Sequence, residues 1–169
     1  MLHRIYQAHS TSADAWVATS LSSLLGELLL HSVRGRTNVA PLLGLPGTGP
    51  LRVARNELLF RDDVCLGRAD LRVDARVDGA LCTALVTVRF GARVDPALVD
   101  THREAVPNSV VTVVSANDAD AEPIAAAGGR HVRWRALAAS LALVGDTRSE
   151  ELLTLLAEAG YGARGPSYA

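Results

Sequence analysis

The stretch Gly67-Arg68-Ala69-Asp70-Leu71-Arg72-Val73-Asp74-Ala75-Arg76-Val77-Asp78-Gly79-Ala80, with its continuation to Val86-Thr87-Val88-Arg89-Phe90, decides the fold of this chain. Leu71, Val73, Ala75 and Val77 alternate with Asp70, Arg72, Asp74, Arg76 and Asp78. A period of two predicts a strand with one buried and one solvated face. Asp78-Gly79 supplies the turn, because both residue types accept the positive φ of a type I′ hairpin. Folding back about it places Val77 opposite Ala80, Asp74 opposite Thr83 and Asp70 opposite Thr87. Arg89 then lies diagonally from Asp70 on the same face, within reach of a long side chain.

Working outward, Trp16-Val17, Leu21, Leu24-Leu25 and Leu28-Leu29 have helical period, with Ser12 or Asp14 to cap the start. His31 to Pro50, rich in Gly, Pro, Arg and Asn, reads as a loop. Leu51–Arg55 and Glu57–Phe60 form a first strand that allows a bulge between them. Pro96 to Ala105 is a short helix with Asp95 as its cap. Ser109–Val114, mostly β-branched, suits a buried strand. Ala119 to Ala127 is a helix ended by Gly128-Gly129. His131–Trp134 is a short strand leading into an Ala/Leu helix to about Val144. Asp146 to Glu150 cap a last helix through Leu152, Leu153, Leu155 and Leu156, closed by Gly160.

The hairpin resembles the metal site of the PD-(D/E)XK nuclease superfamily, whose members share the restriction-endonuclease-like fold. That family's motif places an Asp at the start of one strand and Glu-x-Lys on its neighbour. Here Ala69-Asp70 stands for the Pro-Asp pair and Thr87-Val88-Arg89 for Glu-x-Lys. The resemblance implies an α/β domain: a central mixed β-sheet carrying the Asp-Gly hairpin, flanked by α-helices. It extends over roughly residues 14–160, leaving an N-terminal segment 1–13 and a C-terminal tail 161–169 that frays from Gly165 to Ala169. It also implies a glutamate on the early helix, matched by Glu27, and a strand-tryptophan-helix element followed by a leucine-rich helix near the end.

What the motif positions hold argues against the family's usual chemistry. Mg²⁺ and Mn²⁺ prefer charged oxygen ligands, and phosphodiester hydrolysis uses the metal to acidify water and stabilise charge on phosphate. Thr87 is neutral. Arg89 keeps a positive charge but exchanges no proton near neutral pH. Asp70 with Glu27 makes a weak metal site at best, so the catalytic positions Asp70, Thr87, Arg89 and Glu27 are degenerate, and no cofactor is expected unless the site is active with Mg²⁺ or Mn²⁺.

All 17 basic residues are arginine, against 18 acidic ones, giving a net charge of −1. No overall basic footprint for nucleic acid results. Convergence of Arg34, Arg36, Arg68 and Arg89 about Asp70, with Arg72 beside it, would nevertheless hold a phosphate backbone. The competing reading makes Asp70 to Asp78 an alternating-sign solvated ladder and Asp70–Arg89 a plain ion pair; exposed pairs of that kind contribute roughly 0–1 kcal/mol each. Cys65 and Cys82 read as buried free thiols, and the five histidines as solvated or hydrogen-bonded residues without zinc-site spacing. Gly44 to Gly49 lacks the Gly-Lys-Ser/Thr ending of a phosphate loop. No apolar run approaches the roughly 18 residues that span a bilayer, and a cytoplasmic protein is expected.

Three functions follow. The preferred one is a catalytically degenerate nuclease-like protein that binds DNA or another protein within a genome-defence or DNA-maintenance assembly. The second is a metal-dependent endonuclease with a non-standard site using Asp70, Glu27 and Asp74. The third is a structural module that self-assembles, or takes a partner, through its C-terminal Ala/Leu-rich helices.

Overall fold

The structure, a computed structural model, describes residues 13–91 and 93–161. Helix α1 spans Ala13–His31 and α2 spans Val33–Val39. Strands β1 (Leu51–Arg61), β2 (Val64–Val77) and β3 (Ala80–Arg89) follow, then α3 (Ala97–Ala105) and β4 (Val110–Ser115). A 3₁₀ turn at Asp118–Asp120 leads into α4 (Ala121–Ala126), β5 (Arg130–Arg133), α5 (Trp134–Val144) and α6 (Thr147–Leu156). The strands form one mixed sheet in the order β1-β2-β3-β4-β5. β1, β2 and β3 are antiparallel, whereas β4 runs parallel to β3 and β5 parallel to β4. The chain is therefore an α/β protein with a five-stranded mixed sheet flanked by helices.

Helices cover both faces. Leu21, Leu25, Leu28 and Leu29 of α1 pack with Val73, Val86 and Val88 of the sheet and with Leu137, Leu141, Leu152 and Leu156 of α5 and α6. Each such leucine contributes roughly 1.5–3 kcal/mol by leaving water. On the other face Val99 of α3 and Ile124 of α4 meet Val111 and Val113 of β4. A third cluster joins Leu59, Ala69 and Leu85 to Ala105 and Val106 at the end of α3.

The hairpin has the anticipated register: Val77 pairs with Ala80, Asp74 with Thr83 and Ala75 with Cys82. Asp78 and Gly79 take φ of 48° and 85°, the left-handed pair a type I′ turn needs. A second tight turn at Asp62-Asp63, with φ of 47° and 63°, joins β1 to β2. The bulge in this hairpin comes later than anticipated, where the register shifts between Leu59 and Phe60.

Simple alternation fails at Asp70. Leu71 and Val73 belong to the α1 side, yet Ala69 packs against the α3 side, and a Cβ on Gly67 would face Thr101 of α3. β1 changes faces at the same level: Val53 lies against α1, and Leu59 joins the α3 cluster. Asn56, with φ of 52°, makes the change in β1 directly across from Asp70. Residues 69, 70 and 71 are consequently all buried, so Asp70 is no solvated ladder residue. Val77, expected inside, is 39% exposed next to the Asp78-Gly79 turn, where residues 76–81 are all exposed.

Other departures have local causes. The expected loop 31–50 contains α2, started by Ser32, whose hydroxyl accepts from the Gly35 N–H at 3.0 Å. Helix α3 starts one residue later than expected, with Pro96 rather than Asp95 at the cap position, while Asp95 accepts from Ala97 N at 3.0 Å. Cys65 is exposed and Cys82 partly so, because the first lies two residues past the exposed Asp62-Asp63 turn of the β1–β2 hairpin; both thiols are free. Ser12 lies outside the described residues, and Asp14 falls within α1. Of the segments 1–13 and 161–169, only Ala13 and Tyr161 are described. Among the described residues no helix is long and apolar enough to cross a membrane.

Candidate functional site

The three motif positions do come together. The β2–β3 ladder ends at Leu71 and Val86, and one step further the Asp70 side chain takes over from the backbone. Its Oδ2 accepts from Val88 N at 2.7 Å and from Arg89 Nη1 at 3.0 Å. Arg89 Nη1 also donates to its neighbour's carbonyl, Val88 O, at 2.7 Å. Arg68 approaches Asp70 Oδ1 more loosely, at 3.9 Å. The carboxylate is 7% exposed, whereas the Arg89 and Arg68 side chains are 39% and 54% exposed. Two charge-assisted hydrogen bonds on one oxygen compensate for the buried charge.

Thr87 is fully buried under α3, and its hydroxyl lies 3.3 Å from His102 Nε2. His102 is buried as well, and among the described residues its Nδ1 has no well-formed hydrogen bond. Burial, the dominant influence, pushes its pKa down from 6.5; the Leu98 carbonyl and Asp70 oppose this, and Arg89 adds to it. The ring is therefore neutral at pH 7, and its Nε2 accepts the Thr87 hydroxyl proton when the tautomeric hydrogen is on Nδ1. His102 joins the site through tertiary packing. The available signal was its position three residues after Val99, on the face of α3 that meets the sheet.

The remaining candidates lie elsewhere. Glu27 forms an ion pair with Arg55 Nη1 at 3.2 Å and lies 3.4 Å from His31 Nε2, on the α1 side of the sheet. Asp70 and Arg89 sit on the α3 side, so Glu27 is not brought to Asp70. Asp74 accepts from Thr83 Oγ1 at 2.6 Å and pairs with Arg72 at 3.3 Å; Arg72 also reaches Glu57 at 3.6 Å. This part of the hairpin is the alternating ladder, closed on itself. Arg36 donates to Leu30 O at 2.9 Å and so caps the end of α1, while Arg34 is exposed on α2. Neither joins Arg68 and Arg89. Among the described residues no group of three or more His, Cys, Asp or Glu side chains could hold a metal ion.

A second polar cluster closes the carboxyl end of β4 and reaches across to β5. Ser115 Oγ donates to Asp120 Oδ2 at 2.9 Å and lies 3.0 Å from His131 Nε2. Asp120 also accepts from Val94 N at 3.3 Å, tying the segment after β3 to the turn after β4. Asp and His both address the serine, and the Asp does not orient the ring, so this is not a nucleophilic triad. Ser115 and Asp120 are buried, which makes the cluster a structural bracket.

No protein-family model matches this chain, and no curated protein or solved structure matches it. The chemistry must be read from the residues themselves. A buried carboxylate whose Oδ2 accepts from a backbone N–H and a guanidinium presents positive charge outward, and Thr87 turns its hydroxyl inward to His102. That arrangement favours contact with an anion over coordination of a cation.

Proposed function

We propose that this chain is a restriction-endonuclease-like protein in which an ion pair has replaced the metal site, and that it works as a non-cleaving subunit that binds DNA phosphate through Arg89 and Arg68. The observation that carries this reading is the Asp70 carboxylate accepting from both Val88 N and Arg89. The one carboxylate available for a cation is engaged, and a fixed positive charge stands 3.0 Å from it. What supports the fold assignment is the hairpin's juxtaposition of Asp70 with Val88 and Arg89, next to Thr87, which resembles the family motif's arrangement. The β5–α5 junction supports it further, since strand, Trp134 and helix follow one another and a leucine-rich helix comes next. Arg89 and Arg68 support the binding role, because both remain partly solvent-facing while Asp70 orients Arg89 and lies 3.9 Å from Arg68.

The test is cleavage and binding of supercoiled, linear and single-stranded DNA with Mg²⁺ and with Mn²⁺, with Asp70→Ala alongside. The expected outcome is no cleavage and a salt-sensitive affinity that falls in Arg68→Ala and Arg89→Ala. Metal-dependent cleavage by the parent that Asp70→Ala abolishes would overturn the non-cleaving assignment. Absence of any salt-dependent binding would overturn the DNA assignment.

A further inference from the structure

Among the described residues β1 is an edge strand, and its outer segment is built in an unusual way. Asn56 (φ 52°) and Asp62 (φ 47°) interrupt extended backbone at either end, leaving the five residues Glu57-Leu58-Leu59-Phe60-Arg61 between them. The register shift opposite this segment passes over Leu66, so the extra residue belongs to β2 and β1 stays evenly extended. Edge strands are usually blunted by charge, proline or a covering helix. Here Leu58 and Phe60 point away from the α3 cluster and are 55% and 51% exposed. Leu59 between them is buried against Leu85 of β3 and against Ala105 and Val106 at the end of α3.

We propose that this edge is the contact surface for a second copy of the same chain, paired antiparallel about Leu59. A two-fold axis there sets Leu59 across from its own equivalent, Leu58 across from the second copy's Phe60, and Glu57 across from the second copy's Arg61. Every position in the segment then meets a complement: apolar against apolar on one face, acid against base on the other. No shift by one residue does this, because it would set Leu58 against Leu59 and displace Glu57 from Arg61. The free N–H and C=O groups of both edges pair, and the match is isologous, as a two-fold dimer requires. Glu57 lies 3.6 Å from Arg72, and Arg61 contacts Glu104 within its own chain. Both are surface pairs that tolerate a further partner. This assignment does not depend on what Asp70 and Arg89 do.

Sedimentation analysis of the full chain at about 100 μM, within the micromolar-to-millimolar range of weak association, tests it. The parent is expected to be a dimer, and Phe60→Lys, Glu57→Arg and Arg61→Glu are each expected to be monomers with unchanged circular dichroism. Mixing Glu57→Arg with Arg61→Glu in equal amounts is expected to restore a dimer, because each reversed charge then meets its opposite across the interface. A monomeric parent, a dimer indifferent to these substitutions, or a mixture that stays monomeric would overturn the proposal.

Discussion

Replacing Asp70 by alanine removes two interactions that differ in kind, and the structure says how to separate them. The Val88 N–H would lose its 2.7 Å acceptor beneath α3, and an orphaned buried donor costs about 1–3 kcal/mol. The Arg89 pair would also be lost, but that guanidinium is 39% exposed and screened by solvent, which limits its share to about 1 kcal/mol or less. Asp70→Ala is therefore expected to cost about 1–4 kcal/mol, or about 2–16 °C in Tm for a chain of this size. Asp70→Asn keeps an oxygen for Val88 N and loses only the charge, so about 1 kcal/mol is expected. Urea denaturation of both variants, with Arg89→Met and the double mutant Asp70→Asn/Arg89→Met, completes the comparison. If alanine and asparagine cost the same, the backbone bond contributes nothing and the account of Asp70 as the continuation of the β2–β3 ladder is wrong. Strict additivity of Asp70→Asn and Arg89→Met, within about 0.5 kcal/mol, would refute the ion pair.

Three further outcomes can be checked on the same material. His102 and His131 both have pKa values below 6.5 in the folded chain because burial disfavours the charged ring. The unfolded chain then binds more protons as pH falls below 6.5, so the urea midpoint should drop between that pH and the folded-state pKa values, and His102→Leu should flatten part of the drop. Asp146 accepts from Ser149 N at 2.9 Å while Ser149 Oγ accepts from Asp146 N at 3.0 Å; Asp146→Ala should cost about 1 kcal/mol by thermal melting through loss of this capping box. Gly44→Ala should destabilise the chain in the same assay, since Gly44 has φ of 82° and a new Cβ would lie 2.6 Å from Val110 Cγ1.

The hairpin was legible because two local signals agree: strict alternation from Leu71 to Val77, and an Asp-Gly pair that admits one turn type. Together they bring Asp70, Thr87 and Arg89 to one place. The burial of Asp70 was not legible, because it follows from the face change shared with Asn56 and from the cover that α3 provides. Neither appears in the alternation of β2. Helix α2 escaped notice for a compositional reason: Arg34, Gly35, Arg36 and Asn38 resemble loop residues, and the helix depends on the Ser32 cap and on burial of Val39. Glu27 was placed correctly on α1, but which side of the sheet α1 covers is a tertiary fact, and Arg55 claims the carboxylate there. Arg34 and Arg36 share that layer, which separates them from Arg68 and Arg89.

The change of faces at Asn56 and Asp70 has a consequence for how the chain opens. Ala69 and Leu71 are two residues apart on one strand, yet each is anchored in a different hydrophobic cluster on opposite sides of the sheet. Local opening that releases α3 frees Leu59 and Ala69 while Leu71 and Val73 stay fixed by α1. The outer half of the β1–β2 hairpin and α3 should therefore exchange their amide hydrogens as one cooperative unit, and the inner half should exchange with α1, α5 and α6. The boundary between the two units falls at Asp70, whose grip on Val88 N belongs to both.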